Sequence, residues 1–346
     1  MEKIGTSYPE AKHTETISKA AVYLVNSAIV LVLMVVLMGG WTRINDAGLS
    51  CPDWPGCFGQ LTVPQSDAQL LSAEMLYPNI EVQPTKSWLE MIHRYLAATL
   101  SMLILGLAYI AILMRKNPHY PYLLSYSLLV LVGLQAMLGM WTVTLKLLPI
   151  VVTTHLLGGL LTTVLLLILR HKIVTDNSQP IKWQGANTAA LIGLLILFLQ
   201  ILLGGWTSSN YAGWGCSDWL GCNPNLNIKY NFSQAFTVSL DATYSHQGGR
   251  LPLSARGGIQ ISHKIGALVV LVYFVGLYCW LLKTHRQSKL ISSLVGLTLL
   301  QIVLGLLNIV FAIPTLLAMA HHLVAVVMLI ATTKLWLASF DPKKST

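Results

Sequence analysis

The sequence predicts an all-α integral membrane protein, with eight membrane-spanning helices arranged as two pseudo-two-fold-related four-helix bundles. Hydrophobic residues make up 54% of the chain and charged residues only 10%, whereas about a quarter of the residues in a soluble domain are charged. Eight apolar runs are each long enough to cross a bilayer, which takes about 20 residues. The chain also repeats itself at long range. These three observations define the fold class.

The eight runs set the approximate limits of the spans. Their weakest boundaries are a short break at 146–149, between the third and fourth spans, and one near Pro314, between the seventh and eighth. The predicted spans are 20–41, 88–114, 121–143, 149–170, 185–207, 259–283, 288–311 and 315–337.

The distribution of basic residues predicts the orientation of the chain. Lysine and arginine are concentrated near both ends of the chain and in the short loops after the second, fourth and sixth spans. Because cytoplasmic loops carry the excess of positive charge, both termini are expected in the cytoplasm and both long loops outside. No cleavage site follows the first apolar run, so we expect an uncleaved helix in a bacterial inner membrane. The net charge of +9 is scattered, which argues against nucleic-acid binding.

An internal repeat predicts the domain organisation. Residues 39–59 and 204–224 are identical at 12 of 21 positions, at an ungapped offset of 165. An even number of spans per repeat makes the halves parallel, related by an axis along the membrane normal. The predicted segments are a tail at 1–19, an N-terminal four-helix half at 20–172, a linker at 173–184, a C-terminal four-helix half at 185–337 and a tail at 338–346.

Four histidines lie inside predicted spans that run from outside to inside. Each falls within about two turns of the outer end of its span, so the four imidazoles should share one depth. Ionisable groups inside a membrane mark functional sites by default; the alternative for a single histidine is a hydrogen bond to a neighbouring helix. Two histidines on parallel helices suit axial ligation of a heme iron. These residues are His93, His155, His263 and His321, and the adjacent His322 leaves the ligand in the last span open.

Small and basic residues flank these histidines. The glycines at 158–159 and 266 leave room for a flat macrocycle. Arg94 and Lys264 each follow a histidine, and they are candidates to meet heme propionates near the outer surface. The alternative for both cations is snorkelling to the interface.

Five cysteines divide into two outward pairs and one single residue. Cys51 and Cys57, and likewise Cys216 and Cys222, are spaced as C-x5-C in the two long loops, where disulfides can persist. Each bridge could be a structural staple, and a redox role in one of them stays open. Cys279 is expected to be a packing residue in the sixth span.

The repeat breaks next to one histidine. Glu90 lies one helical turn before His93, on the same helix face, while the corresponding residue before His263 is Gln260. A carboxylate beside a heme ligand can move a proton or stabilise developing positive charge, and glutamine can do neither. The chemistry is therefore expected in the N-terminal half and a retained cofactor in the C-terminal half. The alternative is a glutamate in ordinary contact with interfacial water.

These motifs together resemble the heme A synthase family. The resemblance covers the whole chain and rests on the GGWTR and AGLSCPDWP segments at 39–55, on Glu-x-x-His-Arg at 90–94, on His155, and on the degenerate second copy. The cysteine pairs resemble those of bacterial members with cysteines in both halves.

The resemblance implies an activity and a set of roles. Family members oxidise the C8 methyl group of heme O to a formyl group through hydroxylated intermediates, which supplies heme A to terminal oxidases. By similarity His263 and His321 would ligate the iron of a bound heme b, His93 and His155 would hold the substrate, and Glu90 would be essential. The Cys51–Cys57 bridge would lie on the active side and Cys216–Cys222 would be mainly structural.

The expected partners follow from the same resemblance. They are a heme O synthase as donor, the cytochrome oxidase assembly as recipient, membrane lipid, and a second copy of the chain in a homo-oligomer. The main competing hypothesis is a bis-heme membrane cytochrome that only transfers electrons. A transporter built from repeats would need broken helices and a polar site at the midplane, and the sequence indicates neither.

Overall fold

The computed structural model describes residues 8–175, 185–216, 229–283 and 289–338. Over these ranges the chain is helical and has no β-strand beyond an isolated bridge between Cys57 and Gln60. Eight of the helices are long and apolar enough to cross a membrane, which confirms the all-α class and the number of spans. They are α1 (Tyr8–Ile44), α3 (Pro84–Leu113), α4 (Tyr122–Thr144), α5 (Pro149–Val174), α6 (Gly185–Ser209), α8 (Leu253–Lys283), α9 (Lys289–Val310) and α10 (Thr315–Ala338).

Three spans begin earlier than predicted. Helix α1 begins at Tyr8 and not at residue 20. Helix α3 begins at Pro84 and α8 at Leu253, because their first turns pack beneath the outward loops and need no lipid-facing apolar run. His93 and His263 therefore lie about two and a half turns or more inside their helices. The prediction of two turns or less is wrong for these two histidines. It is confirmed for His155 in α5 and for His321 in α10.

The same unusual turn precedes α5 and α10. Lys146 and Leu147 have φ angles of 51° and 61°, and Ala312 and Ile313 have 57° and 58°. Left-handed φ angles are uncommon outside glycine and disfavour bulky residues. These two turns coincide with the weakest of the predicted span boundaries, and they let each hairpin reverse within a few residues.

The spanning helices form two rings with matching neighbours. In the N-terminal half, α1 and α4 each pack against both α3 and α5. In the C-terminal half, α6 and α9 each pack against both α8 and α10. The halves join through the pairs α5–α6, α5–α10 and α1–α10, and one apolar core runs through both. Each predicted half therefore has the same ring of helix contacts.

Residues at equivalent positions of the repeat touch each other where α1 and α6 end. The Arg43 guanidinium donates to the carbonyl of Ser208 at 2.5 Å, and the Tyr211 hydroxyl donates to the carboxylate of Asp46 at 2.5 Å. Both pairs are separated by 165 residues, the offset of the repeat. Equivalent residues of two related units meet only close to the axis that relates them, so these contacts support the predicted symmetry axis.

The first outward loop forms a small apolar core over the start of α3. This loop contains α2 (Asp67–Leu76), which begins with a capping box between Ser66 and Gln69. Phe58 is fully buried, and its ring contacts the ring of Tyr77 edge-on, with 5.6 Å between the ring centroids. The core residues are Cys51, Cys57, Phe58, Val63, Ala73 and Met91.

The second outward loop extends across to the N-terminal half. It contains the one-turn helix α7 (Phe232–Ala235). The amide of His246 donates to the carbonyl of Lys146 at 3.0 Å, and the Lys146 ammonium donates to the carbonyl of Thr243 at 2.9 Å. The Gln247 amide donates to the carbonyl of Asp46 at 3.2 Å. This loop therefore holds the two halves together at the end of the bundle where α1 and α4 end.

Two of the cysteine predictions are decided here. Cys51 and Cys57 form a disulfide, as predicted. Cys279 is free and exposed on α8, so its prediction as a packing residue is wrong: its position on the helix faces outward from the bundle. Cys222 lies outside the described residues, as do both chain ends and most of the predicted linker at 173–184, and the Cys216–Cys222 bridge stays a prediction.

Candidate functional site

The four predicted histidines form two facing pairs, one in each half. The ring centroids of His93 on α3 and His155 on α5 are 6.4 Å apart, with an angle of 88° between the ring planes. Those of His263 on α8 and His321 on α10 are 6.5 Å apart, at 68°. The tertiary fold thus brings together each pair that the repeat predicted.

The spacing of both pairs fits an iron ion between two imidazoles. A metal-bound imidazole nitrogen lies about 2.0 Å from the metal and the ring centroid about 1 Å further, so two axial rings on one ion have centroids about 6 Å apart. Over the described residues no group of three or more His, Cys, Asp or Glu side chains could hold a metal ion. Two-histidine axial ligation of a heme is therefore the metal chemistry that these donors fit.

Each histidine packs against a glycine of a neighbouring helix. A Cβ atom added to Gly39 or Gly204 would lie 2.9 or 3.1 Å from Cε1 of His93 or His263, respectively. The same atom on Gly139 or Gly305 would lie 3.5 or 3.2 Å from Cε1 of His155 or His321. Glycine at positions 39, 204 and 305 lets the helix backbone approach the rings more closely than an alanine could, whereas an alanine at position 139 would make only an ordinary contact. Both halves therefore place a glycine next to each histidine ring.

The second ring nitrogen has different surroundings in the two halves. The Gln200 amide on α6 lies 3.1 Å from Nδ1 of His263 and donates to the carbonyl of the same residue at 2.9 Å. The backbone carbonyls of Val35 and Gln301 face the rings of His93 and His321, and the buried Nδ1 atoms of His93, His155 and His321 have no side-chain partner among the described residues. A polar group on the second nitrogen orients a ligating histidine, and in the chain position equivalent to Gln200 the first half has Val35.

Glu90 is buried and both of its oxygens are engaged. Its side chain is 4% exposed, so the alternative prediction, a glutamate in ordinary contact with interfacial water, is wrong. Oε1 accepts from the Arg94 guanidinium at 2.5 Å and Oε2 accepts from the amide of Cys51 at 3.0 Å. The carboxylate therefore joins α3 to the disulfide loop while lying one turn from His93.

Arg94 completes this connection. Its Nη1 donates to the carbonyls of Asp53 at 2.9 Å and Pro55 at 3.2 Å, and also to that of Gly56. Nη1 of Arg94 is thus used by the loop and Nη2 by Glu90, and the propionate role predicted for this residue stays a prediction. Lys264, which occupies the equivalent place on α8, is half-buried.

Gln260 reproduces the loop contact in the second half without the charge. Its amide donates to the carbonyls of Gly213 at 3.0 Å and Cys216 at 3.3 Å, and its side chain is 3% exposed. Gly215 lies so close to α8 that an added Cβ would be 2.7 Å from the carbonyl of Arg256. Both halves therefore anchor a cysteine loop one turn before a histidine, and over the part of the chain that the structure describes only the first half does so with an ion pair.

His321 and His322 have separate environments. The ring of His321 faces His263, whereas Nε2 of His322 lies 3.1 Å from the carbonyl of Val36 on α1. The His322 nitrogen that could bind a metal is therefore next to a backbone acceptor in the other half. This geometry favours His321 as the ligand, a choice that the sequence left open.

The fold and the two histidine pairs define a polytopic membrane protein with sites suited to heme. The family of cytochrome oxidase assembly proteins, COX15-CtaA, matches residues 22–333 of the chain. The chain is 40% identical to the heme A synthase of Shewanella oneidensis over 305 residues, which cover 87% of this chain and 91% of that protein. It is 26% identical to the heme A synthase of Caulobacter vibrioides, over 88% of this chain and 92% of that protein.

The chain belongs to the heme A synthase family of membrane oxidoreductases. The family predicted from the sequence motifs is confirmed, and so is an oxidoreductase acting in heme A biosynthesis. The individual roles of the histidines and of Glu90 are a separate question.

Proposed function

We propose that this protein oxidises the C8 methyl group of heme O to a formyl group through hydroxylated intermediates and so produces heme A. The observation that carries the proposal is the combination of two histidine pairs of equal spacing, 6.4 and 6.5 Å between centroids, with a buried carboxylate, Glu90, that among the described residues lies beside only the first pair. Equal pairs support two hemes, and the unequal surroundings support different roles for them.

The C-terminal pair is assigned to a resident cofactor. His263 and His321 would be the axial ligands of a heme b, and that heme would supply a low-spin centre able to accept electrons. Gln200 would orient His263, as second-shell groups do at metal sites, and Gly204 and Gly305 would hold the rings in place. Lys264 is the candidate for a propionate contact on this side.

The N-terminal pair is assigned to the substrate. His93 and His155 would hold heme O, with Glu90 as the catalytic carboxylate one turn away. Because its charge is balanced by Arg94 and the amide of Cys51, Glu90 would hold or release a proton at Oε1 or Oε2 as these contacts change. The Cys51–Cys57 loop would cover this side of the site and limit access of water, and Cys216–Cys222 would be mainly structural.

The topology and partners complete the proposal. The two cysteine loops would lie on the outer, periplasmic side of a bacterial inner membrane, with both termini in the cytoplasm. A heme O synthase would deliver the substrate and cytochrome oxidase assembly would receive the product. Membrane lipid would surround the spans, and the chain would be able to form a homo-oligomer.

Pigment extraction tests the proposed reaction. The protein is co-expressed with a heme O synthase in a host that lacks heme A, and extracted hemes are separated and identified by absorption and mass. The expected product carries the formyl-shifted spectrum of heme A and is missing with a His93→Ala variant. The proposal would be contradicted if heme is bound at both histidine pairs and heme O accumulates without any heme A.

That negative outcome would support an electron-transfer cytochrome instead. The observation that favours this second candidate is the similarity of the two histidine pairs, since a protein that only passes electrons needs two comparable ligand sets. Bound heme in both pairs without formation of heme A, together with rapid reduction by an external donor, would establish it.

A further inference from the structure

One contact between the halves is not needed for loop anchoring or for the histidine pairs. It joins α10 to α1, where Nε2 of His322 lies 3.1 Å from the carbonyl of Val36. The two residues are 286 positions apart in the chain. The contact therefore links the half that carries His321 to the half that carries His93.

The backbone of α1 is shaped for this imidazole. A Cβ atom added to Gly40 would lie 2.6 Å from Cδ2 and 2.7 Å from Nε2 of His322, closer than real Cβ contacts allow. The preceding Gly39 faces His93 in the same way. Adjacent glycines of α1 thus hold one histidine from each half.

The equivalent contact in the other copy of the repeat shows which side chain is enough to fill the space beside this glycine. Gly205 on α6 is the equivalent of Gly40, and an added Cβ there would lie 2.8 Å from Cδ2 of Leu156 on α5. Leu156 is in turn the equivalent of His322, at the offset of 166 that relates the last span of each half. A leucine fills this space in one copy, so the imidazole in the other copy contributes something beyond volume.

What the imidazole adds is a polar link between the two candidate sites. His322 follows His321 directly in the chain, and its carbonyl partner Val36 lies one turn before Gly39 and Gly40 on α1. Hydrogen bonds between helices fix helix register inside a membrane, where water does not compete for the same groups. The contact therefore holds α10, which carries His321, against α1, where Gly39 packs against His93.

We propose that His322 is a positioning residue that sets the placement of the His263–His321 pair relative to the His93–His155 pair, by donating a hydrogen bond from Nε2 to the carbonyl of Val36. This inference rests on the proposed function, because it gives the two pairs different hemes that must work together. His322 itself touches neither heme in this proposal. A small change of placement is costly, since reaction rates depend steeply on geometry.

The central experiment compares two substitutions of His322 in the full-length protein. His322→Leu copies the packing of Leu156 and removes the hydrogen bond, whereas His322→Gln keeps a donor of similar reach. We expect His322→Leu to retain its b-type heme but to lose at least about threefold in heme A output, as for loss of one interhelical hydrogen bond. Its low-spin EPR signal should shift or broaden, and His322→Gln should restore both readouts towards those of the unmodified protein.

A matched glycine pair provides the second arm. Gly40→Ala presses on a ring that cannot move aside, and Gly205→Ala presses on a flexible leucine methyl group. We therefore expect Gly40→Ala to reproduce the effect of His322→Leu and Gly205→Ala to stay near the unmodified protein in heme A output and EPR signal. Equal effects of the two alanines would contradict a specific role of the imidazole.

The outcomes separate this inference from the proposed function. If His322→Leu equals the unmodified protein in heme A output and EPR signal, His322 is not a positioning residue. If His322→Leu loses the b-type heme while His321→Ala keeps it, His322 is the ligand and the inference is overturned. If the unmodified protein binds heme but makes no heme A, the proposed function fails, and the EPR comparison of the two His322 variants still decides the positioning role.

Discussion

The two halves of this protein agree at the histidine pairs and differ in what surrounds them. The pairs have nearly the same spacing and pack against equivalent glycines. Beside them, Glu90 corresponds to Gln260, Val35 to Gln200 and Leu156 to His322. Each of these three replacements changes polarity and preserves approximate size. The comparison teaches that the two copies share the geometry of the histidine pairs and differ in the side chains around them.

The largest expected effect separates the roles of the two pairs. His263→Ala should abolish the low-spin b-type spectrum, because an iron with one axial histidine removed is no longer bis-imidazole ligated. His93→Ala should leave that spectrum in place and eliminate heme A. Absorption and EPR spectra of the purified proteins, together with extracted pigment, check both results. Loss of the b-type spectrum in both variants would contradict the assignment of heme b to the C-terminal pair and of the substrate to the N-terminal pair.

The second prediction concerns the broken repeat at Glu90. Glu90→Gln should lower heme A output about tenfold or more while heme b stays bound, because Arg94 is left buried without its counter-charge and the carboxylate chemistry is gone. Pigment extraction and heme quantification provide the measurement.

Arg94→Gln is the matched control for Glu90→Gln. It removes the same ion pair and leaves the carboxylate in place. If both variants lose heme A output equally and become equally sensitive to protease in the first loop, then the role of Glu90 is to dock the loop, and its catalytic assignment is contradicted. A larger loss for Glu90→Gln supports the catalytic assignment.

The third prediction tests the polar partner of His263. Gln200→Val copies the residue of the first half and removes the group beside Nδ1. Loss of such a partner typically weakens metal binding by about 10-fold to 100-fold, so this variant should lose heme b on dilution or in competition with a heme-binding protein. Val35→Gln is the reciprocal change. Unaltered heme retention in Gln200→Val would show that the amide does not orient the ligand.

The smallest expected effect lies in the second outward loop. His246 is buried against Tyr244, and burial lowers its pKa, with a further contribution from the nearby Arg250 cation. Because the folded loop favours the neutral ring, the unfolded loop binds more protons at mildly acidic pH. The loop should therefore be most stable above the ordinary histidine pKa of about 6.5 and should loosen as the pH falls below it.

Limited proteolysis between about pH 8 and pH 5 would measure this effect. Cleavage in the second loop should rise with acidity, and His246→Gln should flatten the rise. The first loop contains no histidine and is the internal control. A parallel increase in cleavage of both loops would point to general loosening of the outer face and not to His246.

The sequence predicted the spans, the pairing of the cysteines at 51 and 57, and the four histidines, because each of these is encoded by a local or repeated pattern. Apolar run length depends on bilayer thickness, and a repeat offset is visible without coordinates. The starts of α3 and α8 were placed several residues late, since their first turns are covered by loops and carry no lipid-facing pattern. The exposed position of Cys279 differs from its predicted packing role, because hydropathy does not distinguish a helix face that packs from one that is exposed.

The sequence by itself determined the class of protein, the number of spans, the repeat and the residues that are candidates for heme ligation. Only the tertiary structure decided how those residues are used. It paired His93 with His155 and His263 with His321, placed Oε2 of Glu90 against the amide of Cys51 in the disulfide loop, and turned His322 towards the other half. These contacts join residues from 39 to 286 positions apart, and no periodicity in the chain encodes which side chains meet across a helix interface. That choice depends on close packing, where glycine positions and left-handed turns bring particular atoms within reach.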